Sequence, residues 1–328
     1  GAAAHRAGVD AAMRYLEEHG TWVRRGKHRS VNGRNVGRWE RGTGLIAVEF
    51  DHSTSRAADP HLHTHVAIVN KTRAVSDGKW LAVDNRQWNN IKGVVASIYE
   101  SVMAAEIERA TPARFEVRQD GLGREIAGFS ARDLQESSQR TQETLDLQAR
   151  LIAEFERTQG RKPTLAERRQ IHRQAGLQSR AAKSNQSPEQ LLQEWAERDE
   201  VDPARYLQQV RQAGAQVDAE RARPQRPEDL NALVRRALAE TQAASAVWNR
   251  GEAVARLANH LALQPGEDGQ TCTALAETLI DQALEPGSGF DVVELTRPDP
   301  AEVPDWWRHP DTGKPIFRSP NDGIYALR

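Results

Sequence analysis

The sequence predicts an α+β fold: an antiparallel sheet covered by helices, followed by a helical arm and a small winged-helix-like domain. Three observations predict it. Short apolar runs bounded by turn residues fill positions 21–83. Helical patterns flank them without the regular crossover spacing of a parallel sheet. After Ser130 the composition changes, and Gln, Glu, Arg and Ala dominate to about Glu220. The expected divisions are residues 1–135, 136–222 and 228–328.

Val9, Ala12, Met13 and Leu16 recur at helical spacing ahead of Gly20, which predicts a helix over residues 5–19. Tyr15 lies inside that pattern and reads as packing. Residues 21–41 read as two short strands around a turn at Asn32-Gly33. There Arg24, Arg25, Lys27, Arg29, Arg34, Arg38 and Arg41 face only Glu40 in opposing charge, and Trp22 and Trp39 bracket the stretch. Cations for phosphates and rings for bases are what a groove for single-stranded nucleic acid needs. A solvated hairpin whose arginines contact nothing is the alternative.

Strands over 45–52 and 63–70 follow, then a turn at Ser76-Asp77-Gly78 and a short strand over 80–83. Asp84 is the expected cap of a helix over 86–109, whose apolar face carries Ile91, Val94, Val95, Ile98, Val102, Met103 and Ile107. A hairpin over 115–117 and 126–129 closes the first division.

In the arm, Leu145, Leu147, Leu151, Ile152 and Phe155 mark one amphipathic helix. Thr164 with Glu167 forms a capping-box pattern ahead of a second, and Ser187 caps a third bearing Leu191, Leu192 and Trp195. Its basic residues, among them Arg161, Arg168 and Arg173, either track a DNA backbone or form a solvated surface. Pro224 and Pro227 mark a linker. Helices over 228–242, 250–262 and 271–285 come next, then a strand over 291–295 and a paired 315–318 and 323–327. Three helices and a wing is the plan of a winged-helix module, which binds DNA or connects domains.

The chemistry concentrates in residues 51–65, which hold four of the ten histidines. Side chains two apart on a strand share a face, so His63 and His65 project together. His52, at the end of the partner strand, folds back over them. Three imidazoles from adjacent strands make a facial metal site with positions left open for water or a phosphate oxygen. His61 follows Pro60 and reads as loop, or as a residue behind the ligand rings. A cupin-type site wants a Glu a few residues after His-x-His, and Val66-Ala67-Ile68-Val69-Asn70 supplies none.

Composition excludes several classes. Lys and Arg number 45 against 46 Asp and Glu, so net charge argues nothing about nucleic acid. One cysteine, Cys272, rules out a disulfide framework and a cysteine-based zinc site, and fits a reducing cytoplasm. No apolar run reaches membrane-spanning length, so no membrane insertion is expected. No Gly-x-x-x-x-Gly-Lys-Ser/Thr occurs, which excludes nucleotide hydrolysis through a Walker loop.

His52, ten residues and then His63-Thr64-His65, with Thr54-Ser55-Arg56 and Asp59-Pro60 between, resembles the metal motif of conjugative relaxases of the TrwC/TraI type. These are MobF-class His-x-His (HUH) endonucleases. The likeness runs on through Asn70, through Gly78-Lys79-Trp80-Leu81-Ala82-Val83-Asp84 and into the next helix, covering residues 1–135.

The resemblance implies a site- and strand-specific endonuclease and transesterase that nicks plasmid or mobile-element DNA at the transfer origin. A tyrosine oxygen attacks one phosphodiester, giving a 5′-phosphotyrosine and a free 3′-hydroxyl. One divalent ion (Mg, Mn, Ni or Zn) is expected on His52, His63 and His65. Asp51, Glu49 and His61 are the candidates to orient those rings, and Arg56 is a candidate phosphate contact. Implied partners are single-stranded DNA of the transfer origin, relaxosome accessory proteins and a type IV secretion coupling protein. A helicase domain is expected to follow.

The family's nucleophilic tyrosine and an acidic residue in a Phe-Asp-x-Thr-Phe-Ser strand both belong upstream of residue 1. The chain opens Gly1-Ala2-Ala3-Ala4 without Met, so the expectation is a piece that binds metal and DNA but does not nick alone, with no catalytic residue assigned. Two rival readings remain. One is a non-catalytic DNA-binding module with a structural or vestigial metal site. The other is a metal-dependent hydrolase that uses water as nucleophile.

Overall fold

The structure, a computed structural model, describes residues 1–26, 30–31, 34–35, 37–55, 58–118, 121–129, 139–179, 187–198, 203–222, 227–264, 266–296, 303–309, 313–316, 318–319 and 323–327. It is α+β, and it divides into two compact units. One holds Gly1–Glu49, Val66–Ala127 and Arg211–Arg328; the other holds Phe50–His65 and Gly128–Val210.

The first unit begins with α1 (Ala2–Gly20), which buries Val9, Ala12 and Leu16 along one side as the spacing predicts. Among the described residues, the stretches on either side of positions 32–33 then pair antiparallel, as the expected hairpin requires. β1 (Trp22–Arg25) pairs antiparallel with β4 (Arg38–Thr43), and β2 (Ser30–Val31) pairs with β3 (Arg34–Asn35). The expected turn at Asn32-Gly33 lies outside the described residues. β7 (Thr72–Ala74) and β8 (Trp80–Leu81) complete a sheet of order β1-β4-β7-β8. An isolated bridge between Val23 and Val83 then curls the sheet back on its first strand.

So tight a curl leaves little room inside. A Cβ on Gly42 would stand 2.6 Å from Thr72 Cγ2, so glycine is required there by space alone. In chain order between β4 and β7 come β5 (Ala47–Thr54) and β6 (Pro60–Ile68), which pair as a two-stranded ribbon.

A 3-10 turn, Asn85–Gln87, leads into α2 (Trp88–Ala110), which buries Ile91, Val94, Ile98 and Val102. Asp84 precedes this turn but makes no side-chain cap, correcting the sequence expectation. Its carboxylate instead accepts from Trp39 Nε1 at 3.0 Å and Arg86 Nε at 2.7 Å. A charged partner two residues on and an indole across the sheet outcompete the exposed amides of a 3-10 start. β9 (Phe115–Val117) and β10 (Arg124–Ile126) form the expected hairpin.

In the second unit, α3 (Gln139–Gln159), α4 (Leu165–Gln178), α5 (Pro188–Arg198) and the first part of α6 (Pro203–Arg221) accompany the tip of the ribbon. The Thr164–Glu167 capping box forms as expected. Ser187 Oγ accepts from the Gln190 amide at 3.3 Å, so it too caps as expected.

The rest belongs to the first unit. α7 (Pro227–Ala244), α8 (Arg250–His260) and α9 (Gln270–Leu284) pack Val234, Leu238, Val254, Leu257 and Ile280 into one core with Val94, Ile98 and Phe115. A Cβ on Gly251 would stand 2.0 Å from the Asn90 carbonyl oxygen, so α8 crosses α2 at backbone contact. β11 (Val292–Glu294) pairs with β12 (Tyr325–Leu327), not Pro315 with this last strand. Pro315 instead bridges Arg308. No described helix is long and apolar enough to cross a membrane.

Candidate functional site

The alternation of β5 and β6 puts His52, His63 and His65 on one face of the ribbon. Their ring centroids form a nearly equilateral triangle: 5.2 Å from His52 to His63, 5.1 Å from His52 to His65 and 5.1 Å from His63 to His65. A ring bound at a metal–nitrogen distance of about 2.0–2.1 Å has its centroid about 3.2 Å from the ion, so three rings on tetrahedral bonds lie about 5.2 Å apart. Spacing and donor chemistry therefore fit a divalent ion.

Ring orientation is less converged. His52 and His63 lie 18° from parallel, and among the described residues no group of three or more His, Cys, Asp and Glu is arranged, as it stands, to hold a metal ion. Turning a ring about its Cβ–Cγ bond re-aims its nitrogens without moving its Cβ.

His61 falls in β6, not in the loop, because the strand begins at Pro60. Its ring stacks on His63 at 4.7 Å and 24°. Its carbonyl oxygen lies 2.9 Å from His63 Nδ1. A carbonyl only accepts, so this bond places a proton on Nδ1 and leaves the Nε2 lone pair as the donor for an ion.

The candidate carboxylates are engaged elsewhere. Asp51 lies on the other face of the ribbon, as its neighbouring position to His52 requires, and accepts the Thr64 hydroxyl at 2.6 Å. Glu49 meets Arg6 of α1 at 2.5 Å. Ser55 and Asp59, at the two ends of the connection between the strands, bond to each other. Ser55 N–H donates to the Asp59 carbonyl at 2.9 Å, and Asp59 N–H donates to Ser55 Oγ at 3.2 Å. Ala58 takes a left-handed conformation, φ 61°, and its carbonyl accepts from Trp195 Nε1 of α5 at 2.6 Å. In the sequence Trp195 is only an apolar position of its helix, and nothing in its spacing signals this bond.

The basic stretch is used differently from the sequence expectation. Trp22 is 1% exposed and Trp39 is 9% exposed, so neither ring can stack on a base without opening the sheet. Arg41 lies over the Trp22 ring at 4.2 Å and Arg24 over Trp39 at 4.7 Å. Arg25 pairs with Glu40 at 3.0 Å and with Asp77, whose carboxyl Arg25 and the Lys79 amide hold down to about 2. Arg38 is exposed. Lys27, Arg29, Arg56 and the side chain of Arg34 lie outside the described residues.

Tyr15 does not present a nucleophile. Its hydroxyl donates to Glu277 at 2.8 Å, and burial, with the Glu277 charge and hydrogen bond, raises the phenol far above its ordinary value.

A family model described as TrwC relaxase matches residues 2–201, well over half of the chain. The chain belongs to the TrwC relaxase family. Similar solved structures include TrwC complexed with a 27-mer DNA comprising the recognition hairpin and the cleavage site. That chain is 26% identical, with 62% of this chain and 65% of that one covered and a TM-score of 0.44. They also include the conjugative relaxase TrwC in complex with oriT DNA, in metal-bound and metal-free structures. Each is 27% identical with a TM-score of 0.45; 59% of this chain is covered in both, against 61% and 62% of those chains. The chain thus spans less than two thirds of the length of these relaxase structures. No curated protein matches it. Trp80, in the Gly78–Asp84 stretch, stands out at the sheet edge. It is 49% exposed on β8, with the Arg73 guanidinium 5.6 Å from its ring centre.

Proposed function

We propose that this chain is the metal- and DNA-engaging part of a conjugative relaxase that nicks single-stranded DNA at a transfer origin by transesterification. The observation that carries the reading is the triangle of His52, His63 and His65 at the ribbon tip, in a chain of the TrwC relaxase family. His52, His63 and His65 would hold a divalent ion, which would supply positive charge to the scissile phosphate. The chain's own contribution is to keep that charge whole and in place. Three neutral imidazoles add no negative charge, which suits an anionic substrate. The His61 carbonyl fixes the tautomer of His63, and the Thr64–Asp51 bond ties the two strands together behind the rings.

The covalent step needs a tyrosine oxygen, and Tyr15 is committed to Glu277. In this reading the nucleophile is not among residues 1–328, and the chain binds without nicking.

Calorimetric titration with Mn²⁺, Ni²⁺ and Zn²⁺ tests the metal site. The expected result is about one equivalent bound by the wild-type chain and none by the His63→Ala, His65→Ala double variant. Equal binding by both proteins sinks the assignment. Incubation with a single-stranded origin oligonucleotide tests the chemistry. Metal-dependent cleavage by the chain alone, with no covalent protein–DNA adduct, would replace the transesterase reading with a water-nucleophile hydrolase.

A further inference from the structure

The registers β1–β4, β4–β7 and β7–β8 place Trp22, Arg24, Trp39, Arg41, Arg73 and Trp80 on one face of the curled sheet. Each indole on that face carries a guanidinium: Arg41 over Trp22, Arg24 over Trp39 and Arg73 over Trp80. The first two indoles are buried and hold the sheet together. Trp80 repeats the pairing at the edge strand yet leaves half its surface in water.

An exposed indole backed by a cation is a poor core element and a good stacking platform, since the guanidinium steadies one side of the ring and adds positive charge. The surroundings are cationic. Arg73 makes no ion pair among the described residues, and Lys79, next to Trp80, has a side chain 74% exposed. Lys71 lies exposed two positions before Arg73. The carboxylate beside them, Asp77, is already paired with Arg25 and lies 3.3 Å from Lys79. Planar apolar surface within a cluster of cations fits a base with phosphates on either side. It fits an apolar protein partner less well, because docking one would desolvate the Arg73 guanidinium without compensation.

We infer that Trp80, backed by Arg73, is a platform on which an unpaired base of single-stranded DNA stacks, with Lys71 and Lys79 meeting the flanking phosphates. The inference rests on the DNA-binding reading above and adds to it a contact surface outside the histidine cluster.

The test is fluorescence anisotropy of a labelled oligo-dT with the full chain in EDTA, which keeps the metal site out of the measurement. Trp80→Ala is expected to weaken binding by about 5- to 100-fold, while Trp80→Phe retains most of it. Arg73→Ala and Lys79→Ala should each weaken binding and lower its salt dependence. A wild-type chain that binds, with Trp80→Ala binding equally well, overturns this inference alone and leaves the exposed Trp80 face to a protein partner. A wild-type chain that does not bind the oligonucleotide overturns both the inference and the DNA-binding reading. A second measurement uses no variant: photocrosslinking of a 5-iododeoxyuridine oligonucleotide to the wild-type chain, followed by peptide mapping. The adduct is expected on Trp80, and adducts only elsewhere count against the platform.

Discussion

Trp195 donates its indole N–H to the carbonyl of Ala58 at 2.6 Å, across 137 residues of sequence. A helix of the arm thereby holds Ala58, a residue of left-handed backbone conformation between the two histidine-bearing strands. Trp195→Phe keeps a smaller aromatic ring and removes the bond. We expect a stability loss of about 1 kcal/mol and faster exchange of the Ser55 amide, with weaker metal binding as the tip loosens. Exchange at Ser55 equal to wild type would show that the loop holds itself through Ser55 and Asp59.

Glu108 and Arg221 form a bidentate pair at 2.7 and 3.1 Å, with side chains 11% and 7% exposed. Arg221 also donates to the Phe115 carbonyl at 2.7 Å. Removing one partner strands the other charge in the interior, so Glu108→Ala should cost about 3–5 kcal/mol by urea unfolding. The double variant Glu108→Leu, Arg221→Met should cost less than the single one. A single variant unfolding at the wild-type midpoint would mean that water reaches the pair.

Gly42→Ala drives a methyl group against Thr72, which is fully buried and whose hydroxyl donates to the carbonyls of Gly44 at 2.8 Å and Thr43 at 3.1 Å. The threonine cannot swing aside without breaking those bonds. A loss of about 1–3 kcal/mol is expected, with part recovered on adding Thr72→Ser, which deletes the clashing methyl. An unchanged melting temperature for Gly42→Ala would contradict the tight curl of the sheet.

Asp84 gives the chain an acid-sensitive joint. Burial alone would raise its carboxyl, but the hydrogen bond and charge of Arg86, joined by the Trp39 indole, hold it below the ordinary carboxylate range. Because the folded value is depressed, its stabilisation is fully present above the unfolded value of about 3.9. It is lost as pH falls through the lower folded value. Thermal melts across that acid window should fall more steeply for wild type than for Asp84→Asn. Parallel curves would assign the acid sensitivity to other groups.

The histidine cluster was legible because strand alternation is a fixed period: once residues 45–52 and 63–70 read as strands, the shared face of His63 and His65 followed. Helices α1 and α2 were legible from their apolar spacing for the same reason. The burial of Trp22 and Trp39 was not, since an aromatic beside arginines reads alike whether it is an exposed stack or one sealed within a sheet. Nor could spacing tell that Asp84 would turn to Trp39 and Arg86, partners on another strand and within the next turn. Trp80 belonged to a recognised motif, but exposure, which gives it meaning, is a property of the folded sheet edge alone. The mispaired last strands have a similar cause: Val292–Glu294 and the segment near Pro315 are equally apolar, and only tertiary packing selects the partner of Tyr325–Leu327.

The bond from Tyr15 to Glu277 joins residues 262 positions apart, and the core between them draws on α2 and on the last three helices. During synthesis at about 5–20 residues per second, the first helix therefore waits on the order of 13–50 s for its partner to be made. For the 140 residues of that interval between Ala110 and Arg250, about 7–28 s at the same rate, the apolar face of α2 is complete while α8 and α9, which cover it, are not. The nascent chain thus passes through a prolonged stage with sticky surface open to the crowded cell, which makes it a natural client for a chaperone that binds at the ribosome.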